Sequence, residues 1–134
     1  MTKIREPKKY NIGKNRFREV YYHCLQYNEW KAELEAKVDT VKGRQITGMP
    51  KGAAVSGGVT EELAIRRVEL RKKMETIEQT AIEADPQLYP YILTAVTNDW
   101  ATFRYLKQSM GMPCEQTKFY EIRKKFYYLM SKKI

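Results

Sequence analysis

A chain of 134 residues has room for one ordinary domain, or a small domain with a helical extension, and excludes two large cores. Its hydrophobic share of 43% is enough for a core, while a charged share of 31% leaves much of every element to water. No stretch approaches the roughly 20 apolar residues of a bilayer span and the N-terminus lacks the apolar run of a signal peptide, so a cytoplasmic protein with no membrane partner is expected.

The formal net charge of +9 is uneven along the chain. Residues 1–18 carry seven Lys/Arg against Glu6 alone, a net +6; residues 101–134 carry eight against Glu115 and Glu121, again +6; the remainder is −3. Basic ends on a mildly acidic middle are what a polyanion binder needs, with contact regions held on a neutral scaffold. Cys24 and Cys114 stand far apart without CxxC spacing and His23 is the only imidazole, so neither a zinc site nor another cofactor is expected.

Residues 1–14, with Pro7, Gly13 and the cations Lys3, Arg5, Lys8 and Lys9, read as a flexible basic arm. Over 15–42, Phe17, Val20, Cys24, Tyr27, Lys31, Leu34, Val38 and Val41 recur at steps of three and four, which predicts an amphipathic helix. Trp30 flanks its stripe, and Lys31 interrupts it with a stem long enough to snorkel. Residues 43–59 hold five of the seven glycines and read as a linker; the phosphate-loop pattern GxxxxGK[ST] does not occur there.

A second long helix is expected over 60–84, capped by Thr60 and opened by Glu61 and Glu62, where the helix dipole favours acids. Its seam is Leu63, Arg67, Leu70, Met74, Ile77, Ala81 and Ala84. Two seams of one kind fit an antiparallel pair across the linker or a coiled coil between two copies, and the pattern leaves both open.

Residues 85–134 read as a helix-turn-helix DNA-binding domain. Asp85-Pro86 restarts a helix with Leu88, Tyr91, Ile92, Ala95 and Val96 on its apolar face, and Asn98-Asp99 ends it. Trp100–Ser109 follows, with Trp100, Phe103 and Leu106 apolar, and Met110-Gly111-Met112-Pro113 breaks it. In the last helix, with Phe119 as zero and about 100° per residue, Met130, Phe126, Ile122 and Leu129 fall within about 80° of it on one face.

The opposite face, Thr117, Tyr120, Glu121 and Lys124, with Gln116 at its N-terminal edge, is assigned to base edges in the major groove. Lys118, Arg123, Lys125, Arg104 and Lys107 are assigned to phosphates. The expected fold is all-α: a long helical pair joined by a Gly-rich linker, then a C-terminal helix-turn-helix that binds double-stranded DNA.

Several stretches resemble a family. They are Tyr27-Asn28-Glu29-Trp30-Lys31-Ala32-Glu33-Leu34-Glu35, Gly48-Met49-Pro50-Lys51-Gly52, Val55-Ser56 with Thr60, Ala64-Ile65-Arg66-Arg67 to Glu78, and Phe119-Tyr120-Glu121-Ile122-Arg123-Lys124-Lys125-Phe126-Tyr127-Tyr128-Leu129. Together, from about Val20 onward, they resemble the phage and prophage late-gene transcriptional regulators of the RinA and ArpU type. The resemblance implies a sigma-factor-like C-terminal helix-turn-helix, activation of packaging and structural genes, and contact with host RNA polymerase. One departure is the cap before the last helix, where Cys114-Glu115 follows Pro113 in place of Ser or Thr.

Other readings are a small terminase-like packaging subunit or an inhibitor of host defence that binds a nucleoprotein complex. An enzyme is disfavoured, because the lone His23 beside Cys24 has nothing to orient its ring, and residues adjacent in sequence do not face each other on a helix.

Overall fold

The computed structural model describes the backbone of residues 10–46 and 60–134, and the side chains of 10–36 and 60–134. The expected arm over 1–9 and linker over 47–59 lie outside the described residues. Within them the fold is all-α: α1 (Lys14–Leu25), α2 (Tyr27–Ile46), α3 (Glu61–Ala84), α4 (Tyr89–Thr97), α5 (Phe103–Ser109) and α6 (Gln116–Ser131). The chain divides into two compact units, Met1–Gln26 with Thr76–Ile134, and Tyr27–Glu75.

The single helix expected over 15–42 is instead α1 and α2, parted at Gln26. Its N–H donates to the His23 carbonyl at 3.2 Å, three residues back, so the turn tightens there. The apolar stripe shifts with it: Trp30 is buried, Lys31 is exposed, and the seam runs through Tyr27, Trp30 and Leu34. Gly43 does not end α2, which continues to Ile46.

In the unit Tyr27–Glu75, both carboxylate oxygens of Glu33 accept from Arg66, Nε at 2.9 Å and Nη2 at 3.1 Å. The Lys73 Nζ lies 5.3 Å from the centroid of the Trp30 ring. Helix α2 and the first part of α3 therefore meet within the chain. Thr60 caps α3 as expected, its Oγ1 accepting from the Leu63 N–H at 3.0 Å.

In the other unit, the C-terminal half of α3 buries Ile77, Ala81 and Ala84. Asp85 then holds a turn rather than a helix start: its Oδ1 accepts from the N–H groups of Gln87 and Leu88, both at 2.9 Å. Helix α4 consequently opens at Tyr89, with Pro90 rather than Pro86 in its first turn, and buries Ile92, Ala95, Val96 and Thr97.

Helix α5 starts three residues later than the sequence suggests, because Thr102 adopts extended backbone and its side chain accepts from the Tyr105 N–H at 3.2 Å. Trp100 is thereby left outside the helix and 57% exposed, its ring set edge-on to Tyr105 at 5.0 Å; Ala101 is buried beside it. The connection to α6 turns on Gly111, at φ 70°, after which the Met112 N–H returns to the Leu106 carbonyl at 3.0 Å and the Met112 side chain is buried.

A Cβ at Gly111 would meet nothing within 4 Å, so substitution there tests backbone strain alone. Gly111→Ala is expected to destabilise the fold by about 1–2 kcal/mol, the usual cost of left-handed backbone in a non-glycine residue, read as a lower urea midpoint at unchanged m.

Candidate nucleic-acid interface

Helix α6 is fixed on three sides. Its core face buries Phe119, Ile122, Phe126 and Met130, the face that helical spacing assigns; Leu129 is only half-buried. Tyr127 widens this face to one flank and is 1% exposed. There α1 packs against it: the Phe17 ring meets Tyr127 edge-on at 5.0 Å, and Tyr21 lies 6.3 Å away.

The C-terminal end of α6 is held as well. Arg16 Nη2 donates to the carbonyls of Ser131 at 2.7 Å and Ile134 at 2.6 Å, placing a cation on the last turn, where the helix dipole favours one. Lys133 Nζ donates to Thr80 Oγ1 and Glu83 Oε1, both at 2.9 Å.

The five residues assigned to base edges, Gln116, Thr117, Tyr120, Glu121 and Lys124, are all exposed. Of those assigned to phosphates, Arg104, Lys107 and Lys118 are exposed, while Arg123 and Lys125 are half-buried. None of the five forms an ion pair with a described carboxylate.

Two of these cations are already oriented by the fold. The Arg123 guanidinium lies over the Tyr127 ring, 5.0 Å from its centroid. Lys107 Nζ donates to the Cys114 carbonyl at 3.0 Å, pinning the α5–α6 connection. Burial pushes the Cys114 thiol up, with the positive charges of Lys107 and Lys118 acting against it.

Three clefts share Tyr120, of which one, of about 310 Å³, brings Arg123 together with Asp99 and Phe103; the other two take in further cations. One of about 430 Å³ brings Arg104 and Lys107 of α5 together with Gln116. The other, of about 400 Å³, joins Arg123 and Lys124 to Tyr10, Lys14 and Phe17. Lys118 and Lys125 line neither.

Tyr10 belongs to the stretch expected to be a free arm, yet its ring packs on Tyr128 at 5.4 Å. Lys14, Phe17 and Tyr127 also stand at this interface without having been expected there, Phe17 being expected only in the apolar stripe of the first helix. The available signals were the aromatic pair Phe17 and Tyr21, four apart on α1, and the place of Tyr127 at about 80° from Phe119 on the helical wheel, beside Arg123.

The Tyr127 hydroxyl is buried and has no hydrogen-bond partner. Burial raises its pKa, against an opposing pull from Arg123. Burial likewise pushes the Cys24 thiol up to about 12. Among the described residues no cluster of His, Cys, Asp and Glu could hold a metal ion, and no helix is long and apolar enough to cross a membrane.

Comparison of the chain with protein-family models, with curated proteins and with solved structures finds no match.

Two stability measurements follow from this flank. Tyr127→Phe removes a hydroxyl that forms no bond, so unfolding free energy should stay level or rise by up to about 1 kcal/mol. Tyr127→Ala should lower it by about 3–5 kcal/mol through the cavity it leaves.

The second concerns alkaline pH. An unfolded chain ionises Cys24 near the ordinary 9.0, whereas the folded chain does so only near 12, so this thiol contributes stability that is present below pH 9 and lost as pH rises toward 12. Urea midpoints measured across that window should fall, and fall less steeply in Cys24→Ala.

Proposed function

We propose that this chain is a sequence-specific DNA-binding regulator that reads duplex DNA with the exposed face of α6. The observation that carries the reading is the contrast between the two faces of that helix. One side is sunk into the fold and held at the far end by Arg16, while Thr117, Tyr120, Glu121 and Lys124 stand exposed together on the other, with Gln116 exposed at the N-terminal edge.

Helix α6 has 16 residues, about 24 Å at 1.5 Å per residue, and a helix of that size enters a major groove about 12 Å wide. Glu121 can accept from cytosine N4, and Gln116 can bond bidentately to adenine. Arg104, Lys107, Lys118, Arg123 and Lys125 would lie toward the backbone, where contacts add affinity without sequence information.

The resemblance to the late-gene regulators extends this proposal to a phage or prophage activator acting with host RNA polymerase. The pairing of α2 with α3 would then position the reading unit or bring two copies together.

Two substitutions separate the assigned roles in a binding titration on specific and random duplexes at several salt concentrations. Lys118→Ala should weaken all duplexes alike and reduce the slope of log K against log salt by about 0.9, one phosphate contact. Glu121→Ala should leave that slope unchanged and alter which sequence is preferred, by about 1–3 kcal/mol at one base pair. A Glu121→Ala protein with wild-type preference, or a wild-type protein blind to sequence, would defeat the proposal.

A further inference from the structure

The cleft of about 400 Å³ beside α6 has a composition that duplex reading does not account for. Its size falls within the range of small-ligand sites, roughly 300–1,000 Å³. Its aromatic lining comes from three separate places in the chain: Tyr10 before α1, Phe17 on α1, and Tyr120 and Tyr127 on α6. Tyr127 is buried at the Phe17 contact, whereas Tyr120 is 45% exposed, so buried and open rings occur in the same lining.

Three cations, Lys14, Arg123 and Lys124, join these rings, and among the described residues no Asp or Glu lines the cleft. None of the three pairs with a described carboxylate. The Arg123 guanidinium lies over the Tyr127 ring, 5.0 Å from its centroid, and its several N–H groups suit a planar or tetrahedral anion. Helix α1 opens at the same place: Lys14 is its first residue, and its N-cap, Gly13, supplies no side-chain hydrogen bond, so its first N–H groups are available to an anion. Asn11 adds an amide that can both donate and accept.

Aromatic walls with concentrated, unneutralised positive charge and one amide suit a ligand that is a flat heteroaromatic ring at one end and a phosphate at the other. We propose that this cleft binds a single nucleotide, its base stacked on the Tyr10 and Tyr120 rings and its phosphate held by Lys14, Arg123 and Lys124. The occupant is a free nucleoside monophosphate or one unpaired nucleotide of a strand; the recognition chemistry is the same. The site overlaps the duplex-reading set at Tyr120, Arg123 and Lys124 and extends beyond it to Tyr10, Lys14 and Phe17, so the variants that test it are drawn from the second group.

The test is calorimetric titration of the full chain with the four ribonucleoside 5′-monophosphates, with adenosine and inorganic phosphate as the separate halves, and with a single-stranded tetranucleotide. At least one monophosphate, or the tetranucleotide, should saturate one site per chain and bind at least about tenfold more tightly than either half, as stacking and charge contacts combine. Saturation by monophosphate identifies a free ligand; saturation by the tetranucleotide alone identifies an unpaired strand nucleotide. Tyr10→Ala and Lys14→Gln should each weaken that binding by about tenfold with helix content unchanged by circular dichroism.

The proposal is overturned if nothing saturates in the millimolar range, if inorganic phosphate binds as tightly as any nucleotide, or if both variants bind as the wild type does. Duplex titrations on Tyr10→Ala and Lys14→Gln keep the two proposals apart, because neither residue belongs to the duplex-reading set and both variants should bind duplex normally.

Discussion

The contact between α1 and α6 is the constraint on which the functional part of the molecule depends. An isolated amphipathic helix of this length is marginal in water, so α6 needs tertiary contacts to hold its shape. Phe17 and Tyr21 supply them along one flank, through Tyr127, and Arg16 supplies them at the end by taking the Ser131 and Ile134 carbonyls. These bonds join residues 115 and 118 positions apart in the chain. Such separation adds a loop-closure entropy cost that the contact must offset.

The same contact decides which charges are free. By sequence, Arg16, Lys132 and Lys133 all count toward basic ends suited to a polyanion. In the fold, Arg16 and Lys133 hold the end of α6, and Lys132 Nζ lies 5.0 Å from the Tyr128 ring centroid. Arg123 is drawn onto Tyr127 and into a cleft, away from the flank of Lys118 and Lys125. End-loaded charge in the sequence therefore has two physical origins: part closes the fold and part remains at the surface.

Much of the fold was legible because it is local. The 3.6-residue period located the helices, Thr60 announced the cap of α3, the spacing from Phe119 gave the core face of α6, and Gly111 marked the turn it makes. The features that escaped are set by choices with no local signature. Gln26 parts α1 from α2 through a backbone bond to His23 that any residue could make, and that shift decides between Trp30 and Lys31 for the interior. Trp100 reads as apolar, yet a cap at Thr102 leaves it outside the helix. The burial of Tyr127 depends on a helix more than a hundred residues earlier. Of the candidate site, the exposed face was legible from α6 alone, whereas the cleft was not, because its lining residues Tyr10, Lys14 and Phe17 come from the other end of the chain.

The number of free cations bears on how duplex binding would have to be organised. On the proposed reading, Arg104, Lys107, Lys118, Arg123 and Lys125 give at most five phosphate contacts per copy, and log K would then fall with log salt at a slope of about −4.5. That lies below the range of six to ten contacts for which losses of about 10³–10⁵ over moderate salt are usual. Arg123 further divides its contacts between Tyr127 and any phosphate, which lowers the count again. On the proposed reading, tight binding by α6 would draw on positive charge beyond these five residues. Two sources exist within the sequence: the cations Lys3, Arg5, Lys8 and Lys9, which lead into the Tyr10 that packs beside α6, and a second copy of the chain. Four added cations would bring the slope to about −8 and two copies to about −9, so the measured slope constrains the total. Its dependence on protein concentration then separates the two, since only assembly of copies changes the apparent affinity with concentration.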